Sequence, residues 1–596
     1  MQHLGIDIDK KRDKILGEQS FKLLKDYYCR DDEKTPQMAF ARAAVAFCGN
    51  NIGLAQRIYD YVSKGWFMYS SPVLSNAPLK GEEVKALPIS CFLTYVPDTL
   101  DGLIDHTAEL RWLSVKGGGV GGHWSDIRAV SKKAPGPMPF LHTVDADMVA
   151  YRQGRTRKGS YAAYMDIDHP DIVEFINMRI PTGDVNRKNL NLHHAVNLSD
   201  KFMEAVRDGK QWGLLDPNDK SVREMTDARK LWELILETRY RTGEPYVNFI
   251  DTANRALPQA QKDLGLNIKG SNLCNEIHLV TNEERTAVCC LSSVNLEMYD
   301  DWKDTTMVKD LIVFLDNVLQ FFIDNAGDEI SKARYSAQQE RSLGLGAMGL
   351  HSYFQKHLIA FNSQEAIDKN EEIFSHIKAK SVEATLQMGN RRGEAPDMIG
   401  TGRRNAHMLA IAPNANSSMI VNTSPSIEPW KANAFTSRTR VGSHLNKNPY
   451  LKKVLGDLDK DTEEVWSIII TNGGSVQGLD FLDDHLKEVF KTAIELDQHV
   501  LIRLAGDRQK YLCQGQSLNI FFPAGADKRY LHTVHYQAWA EGCKGLYYLR
   551  TESSNKAENV SQKVEREKLD DIINPDSIKF SNGSEEQQDE CIACEG

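Results

Sequence analysis

An α/β fold is predicted over most of the 596 residues of this chain. Three observations predict it. Between about Lys116 and Leu549, segments of helical period alternate with short apolar runs of strand length, the pattern of a sheet covered by helices. The length suffices to bury a large core, as one big domain with attachments or as a few ordinary ones. The composition is that of a globular protein, 41% apolar and 26% charged, with no fixed-period repeat to indicate a solenoid.

Taken in order, the stretch from about Gln37 to Tyr69 reads as helix from its apolar spacing. Ser70-Ser71-Pro72 through Pro78 ends it, because serine, proline and asparagine favour turns. Pro88 to Tyr95 reads as a short strand, and Thr99 to Val115 as a helix running into Lys116-Gly117-Gly118-Gly119-Val120-Gly121-Gly122. The α/β alternation follows. After Tyr548 the character shifts: residues 551–596 hold one aromatic, Phe580, with many charges and a Ser/Asn/Gly/Glu/Gln-rich run. Such a segment has too little apolar surface to order itself, so a flexible tail is expected. The chain divides into a helical N-terminal region (1–70), an α/β domain (71–550) and the tail (551–596).

No apolar stretch is long enough to span a membrane, and no signal peptide follows Met1, so a cytoplasmic protein without a membrane partner is expected. A net charge of −10 argues against a sequence-independent grip on nucleic acid. Ten cysteines in such a chain point to redox or metal work before structural disulfides. Only Cys591-Ile592-Ala593-Cys594 has CxxC spacing, and neither a second pair nor a histidine pair completes a zinc site, so no metal is expected. A redox dithiol on a tether reads better: it can enter a deep site, exchange disulfides and leave. The bland alternative is a dangling end with idle cysteines.

Ser271-Asn272-Leu273-Cys274-Asn275-Glu276 carries the most chemistry. Were the run extended, Asn272, Cys274 and Glu276 would share a face, placing a thiol between an amide and a carboxylate. A free cysteine is often only a small buried hydrophobe, but asparagine and glutamate are seldom buried beside one without a partner or a task.

Together with other segments, this run resembles the catalytic large subunit of class I ribonucleotide reductase. The markers are Ser70-Ser71-Pro72, Ile89-Ser90-Cys91, the glycine run Gly117–Gly122, Asn272–Glu276 and Ala287-Val288-Cys289. Further along come Arg341-Ser342-Leu343-Gly344-Leu345-Gly346, Ile427-Glu428-Pro429, Arg508-Gln509-Lys510-Tyr511 and Gln516-Ser517-Leu518-Asn519. Each is weak alone; their order and separations are specific. The resemblance implies a ten-stranded α/β barrel of two five-stranded halves, with a finger loop up its centre carrying the radical cysteine. It implies that Cys274 becomes a thiyl radical that removes the 3′-hydrogen of a ribonucleoside diphosphate, that Glu276 acts as base on the 3′-hydroxyl, and that Asn272 holds the sugar. Cys91 and Cys289 would be the reducing pair, with Cys290 a packed neighbour facing the other way.

The same resemblance assigns Ser71, Ser90, Gly118 and Gly119 to substrate contacts. It places the substrate phosphates on Pro413-Asn414-Ala415-Asn416-Ser417, a loop with more asparagine than the family's hydroxyl-rich form. Tyr547 and Tyr548 would relay a radical from a separate small (beta) subunit that holds the radical-generating metal cofactor, leaving none in this subunit. Cys591 and Cys594 would draw electrons from thioredoxin or glutaredoxin. Asp98 and Arg128, with Gly183–Lys188, resemble pieces of a specificity-effector site, which is usually built in a homodimer. Too few residues precede Cys91 for the ATP-cone domain of many relatives, so dATP shut-off is expected to be missing. Two rivals stand beside this reading: an adenosylcobalamin-dependent (class II) reductase on the same barrel, which has no need of the tyrosines, and a non-enzymatic nucleotide-binding or thiol-exchange protein.

Overall fold

The computed structural model describes residues 5–151, 159–439 and 442–552; the tail expected to be flexible, with Cys591 and Cys594, lies outside them. Helices Glu18–Tyr27, Pro36–Ala46 and Ile52–Ser63 build the N-terminal region. The single helix read from Gln37 to Tyr69 is thus two helices and a strand. The first ends where Gly49 takes a left-handed φ of 55°, and Asn51 caps the second by accepting from the Leu54 amide. Phe67–Tyr69 pairs antiparallel with the strand Ala287–Asn295, fastening this region to the barrel.

The first half of the barrel is a parallel sheet of β1 (Cys91–Tyr95), β2 (Gly119–His123), β3 (Ser160–Asp166), β4 (His193–Leu198) and β5 (Tyr246–Phe249), hydrogen-bonded in that order. The strand read from Pro88 starts at Cys91, and the helix read from Thr99 is Leu100–Val115, with Thr99 accepting from the Gly102 amide as its cap. The second half begins with β6 (Ala287–Asn295) and β7 (Leu343–Met348), which are parallel to each other. It continues through a parallel bridge from Leu345 to Leu409, another from Ile411 to Gln516, and the parallel pair Ile520–Phe522 with Leu549–Thr551.

Both seams between the halves are antiparallel: β1 against β6, and β5 against Gly545–Leu546. The strand positions therefore close on themselves as five plus five, the ten-stranded barrel expected from the resemblance. Closure hides every edge and leaves an interior lined by alternate residues. That alternation divides two buried clusters. Cys91, Leu93, Ala162, Tyr164, Ala287, Cys289 and Leu291 fall in an inner cluster, while Phe92, Tyr161, Ala163, Val288 and Cys290 join the main core under the helices.

A buried ion-pair hub braces the second half. Asp316, on the helix Met307–Asn325, takes Arg341 at 2.9 Å and Arg392 at 2.9 Å, and the Asn405 amide donates to it at 3.1 Å. Burial works to raise its carboxyl, but the three guanidiniums of Arg341, Arg404 and Arg392 hold it below the ordinary value. Arg341 itself sits at φ 47°, so the Arg341-Ser342-Leu343-Gly344 segment turns sharply into β7 on this hub. Gly344 is needed where it stands: a Cβ there would come within 2.8 Å of the Cys289 sulfur.

Candidate active site

Between β5 and β6 a loop enters the barrel interior, with Leu273, Cys274, Ile277 and Leu279 in the inner cluster. The run Ser271–Glu276 is not extended, as its alternation suggested. Residues 272–275 form a turn, closed by the Asn275 amide on the Asn272 carbonyl at 3.3 Å, with Asn275 at φ 62°. Asparagine tolerates this left-handed position better than most side chains, which is why a turn forms here. Its amide then ties the tip to both barrel halves, donating to Val247 O at 3.1 Å and Leu546 O at 3.3 Å. Tyr164 donates to Asn272 O at 2.6 Å from the barrel wall. Gly121 lets the loop pass, since a Cβ there would overlap the Ser271 carbonyl oxygen. Part of the glycine run is therefore explained by the close approach of this loop.

The turn still gathers the three expected groups. Asn272 Oδ1 accepts from the Glu276 and Ile277 amides at 3.0 and 3.1 Å, bending the chain around the turn that carries Cys274. Asn272, Cys274 and Glu276 are each at most 1% exposed. Ser517 Oγ lies 2.6 Å from Cys274 O and 2.9 Å from Glu276 Oε2, and the Gly515 amide donates to Glu276 O at 2.7 Å. The segment 515–517 thus holds both the thiol-bearing residue and the carboxylate.

Cys91 on β1 and Cys289 on β6 are direct partners across the antiparallel seam. Opposed residues there have Cα atoms about 4.5–5.5 Å apart, inside the range a disulfide spans. Neither is in a disulfide, and Asn272 Nδ2 lies 3.9 Å from Cys91 Sγ. Gln514 Nε2 reaches Cys289 Sγ at 3.6 Å and also donates to Leu343 O at 2.9 Å. Burial pushes the Cys289 thiol well above its ordinary value, and neighbouring Cys91 adds to this. It therefore stays protonated at neutral pH, and this thiol can give up a hydrogen as well as an electron. Cys290 lies in the outer core, where burial likewise pushes its thiol up.

Tyr547 and Tyr548 join the inner cluster with ring centroids 4.2 Å apart. The structure adds a third phenol, Tyr246, at 4.7 Å from Tyr547 and 5.1 Å from Tyr548. Sequence reasoning missed it because about 300 residues separate it from the pair, and only the seam pairing Leu546 with Val247 unites them. Tyr246 is fully buried, its phenol pushed well up by burial and by the Tyr548 phenol beside it. Tyr548 Oη lies 3.3 Å from His193 Nδ1, which in turn lies 2.6 Å from Glu244 Oε1, while Arg179 pairs with Glu244 and Arg550 covers the Tyr548 ring at 4.4 Å. None of Gln514, His193, Glu244 or Arg179 carries a sequence signal.

The other predicted residues are placed as follows. Ser71 opens the helix Ser71–Ser75 and bonds the Tyr28 hydroxyl at 2.7 Å; Ser90 accepts from the Gly119 amide at 2.7 Å. A Cβ on Gly118 would come within 2.7 Å of the Phe92 ring, so packing also requires a glycine there. Ala410 and Ala412 belong to the inner cluster, which carries Pro413–Ser417 to its border. Asn414, at φ 58°, has its amide tied to Ser293, Ala347 and Ala412; Asn416 and Ser417 fall in the helix Ala415–Val421. Asp98 and Arg128 lie outside the inner cluster and close on each other at 2.8 Å. Among the described residues, no group of three His, Cys, Asp or Glu side chains is placed to hold a metal, and no helix is long and apolar enough to cross a membrane.

The chain matches the ribonucleotide reductase all-alpha domain over residues 14–82 and the ribonucleotide reductase barrel domain over 89–401 and 397–549. It is 56% identical over 560 residues to a putative ribonucleoside-diphosphate reductase large subunit of Frog virus 3 (isolate Goorha), covering 94% of this chain and 95% of that one. It is 43% identical over 605 residues to the ribonucleoside-diphosphate reductase large subunit of Invertebrate iridescent virus 3, covering 92% of this chain and 95% of that one. Among solved structures, the Actinobacillus ureae class Id ribonucleotide reductase alpha subunit superposes with a TM-score of 0.81 at 34% identity, over 93% of this chain and 99% of that one. On sequence and fold, this chain belongs to the ribonucleotide reductase large-subunit family.

Proposed function

We propose that the chain reduces ribonucleoside diphosphates to 2′-deoxyribonucleoside diphosphates by a thiyl-radical mechanism, with the radical supplied by a separate small subunit. One observation carries the reading: Cys274, the Cys91–Cys289 couple and the tyrosines occupy a single cluster sealed inside the barrel. A thiyl radical survives only where water and stray reductants are excluded, and the closed ring excludes them. Cys274 removes the 3′-hydrogen, Glu276 takes the 3′-hydroxyl proton, and Asn272 keeps the sugar in register. The 2′-hydroxyl leaves as water. Cys91 and Cys289 supply the two electrons and the protons and become a disulfide, and Cys274 returns its hydrogen to the 3′ carbon, which restores the thiyl radical. Ser71, Ser90, Gly118, Gly119 and the loop Pro413–Ser417 border the substrate, where backbone amides receive the diphosphate.

The oxidising equivalent enters through Tyr548 and Tyr547, with Tyr246 as packing partner and His193, Glu244 and Arg179 holding the outer phenol. The metal centre of the small subunit supplies that equivalent. Cys591 and Cys594 carry electrons inward from thioredoxin or glutaredoxin. Asp98 and Arg128 belong to an effector-responsive surface between two copies of the chain. The test is turnover of a ribonucleoside diphosphate by the purified chain, with and without a class I small subunit, and separately with adenosylcobalamin. Turnover is expected only with the small subunit. Turnover with adenosylcobalamin and no second protein overturns the proposal in favour of the class II rival.

A further inference from the structure

Cys513 takes no part in the chemistry above, yet its surroundings are built for a reactive thiol. It is half-buried on the wall of a cavity of about 440 Å³, a size typical of small-molecule sites, and Lys378 Nζ lies 3.1 Å from its sulfur. Arg403 and Lys544 line the same cavity, and among the described residues no carboxylate pairs with either of them or with Lys378. Lys544 is held on the carbonyls of Cys513 and Gln514, and Arg403 on Ala406 O and Met408 Sδ. The fourth cation, Lys510, is paired with Glu371 outside; Glu541 is the carboxylate in the lining, and Gln537 donates to it. A second feature points to a ligand. His407, 1% exposed, lines the cavity with Nε2 on Gln261 Oε1, and its Nδ1 has no hydrogen-bond partner among the described residues.

The electrostatics agree with the geometry. Burial works to raise the Cys513 thiol, but Lys378, the Met408 backbone and Arg403 outweigh it and bring the thiol down to about 7. Burial, with Lys378 nearby, brings Lys544 down to about 7 as well. Burial first, then the charges of Lys544, Arg403 and Lys378, holds the His407 imidazole well below its ordinary value, so it stays neutral. A thiol titrating near ambient pH is the fastest attacker of disulfides, and cationic walls favour a ligand with carboxylates.

We propose that Cys513 is a mixed-disulfide site for low-molecular-weight disulfides that carry carboxylates, seated by Lys378 and Arg403. The Cys513 thiolate attacks one sulfur of the ligand. A Cys513–sulfur bond forms as the ligand's own sulfur–sulfur bond breaks, and the departing half leaves as a thiolate that takes a proton from water. Cys513 is oxidised and the departing thiol is reduced, so the ligand is the oxidant and no other is needed. The site adjoins the Cys91–Cys289 couple, because Gln514, next in the chain, bonds both Cys289 Sγ and the His278 amide.

The test uses the full reduced chain with glutathione disulfide as the anionic probe and cystamine as the cationic one, and adducts are mapped by peptide mass spectrometry. A Cys513 adduct is expected to form about tenfold faster with glutathione disulfide, with a rate that rises through about pH 7 and an adduct removed by a small dithiol. Lys378→Met is expected to slow it roughly five- to tenfold at pH 7, since the lost thiolate fraction outweighs the gain in nucleophilicity. Absence of a Cys513 adduct while other cysteines react overturns the proposal, as do equal rates with both probes. If Lys378→Met folds poorly, the pH profile and charge preference of the unaltered chain still decide. The readout needs no radical transfer, so it stands or falls apart from the reductase activity.

Discussion

Cys274→Ser is expected to abolish deoxynucleotide formation, with a loss on the order of 10⁴-fold or more, the scale seen when an essential reacting group is removed. The substitution is nearly isosteric, and the position is held by backbone contacts that do not involve the sulfur: Ser517 Oγ on Cys274 O and the turn closed by Asn275 on Asn272. Folding and nucleotide affinity should therefore survive. What is lost is the weak S–H bond, because a serine O–H is too strong to be opened by a tyrosyl oxidant and re-formed in each cycle. Turnover of the pure variant within about tenfold of the parent, on the energetic scale of ~1.4 kcal/mol, would remove the radical from this residue.

Tyr548→Phe has the second-largest expected effect, a loss of turnover of about 10³-fold or more, or ~4 kcal/mol. Phenylalanine keeps the ring that packs at 4.2 Å on Tyr547 and 5.1 Å on Tyr246, and it keeps the face covered by Arg550. It lacks the hydroxyl near His193, and with it the proton that must move when the ring is oxidised. Substrate affinity, measured by equilibrium binding, should stay within about twofold, because the ring contributes packing and not a substrate contact. Retained turnover would take the relay away from this position. A matched loss of affinity and turnover would point instead to a collapsed barrel seam.

Much of this was legible from local patterns. The α/β alternation, the helix Leu100–Val115 and the opposite facing of Cys289 and Cys290 follow from periods of 3.6 and 2. The association of Asn272, Cys274 and Glu276 was legible as well, but for the wrong local reason. A left-handed Asn275 makes the run a turn, and Asn272 Oδ1 gathers the backbone that alternation was expected to align. The rest depends on closure. Tyr246 meets Tyr547 only across an antiparallel seam, and Gln514 and Ser517 meet Cys289 and Glu276 only because residues 514–520 form a wall beside the finger loop. Spacing along the chain contains no trace of such contacts. Asn414 shows the converse: its amide suggests a phosphate donor in sequence, yet in the fold it is held by Ser293, Ala347 and Ala412.

The central claim is that Cys91 and Cys289 are the electron source next to a buried radical thiol. It is tested most directly by one round of catalysis without external reductant. The chain, with Cys591 and Cys594 replaced by serine and fully reduced, is mixed with small subunit and a ribonucleoside diphosphate, quenched, alkylated and mapped. One Cys91–Cys289 disulfide per deoxynucleotide formed is the predicted result. Product without that disulfide, or with one that includes Cys290 in place of Cys289, would contradict the account.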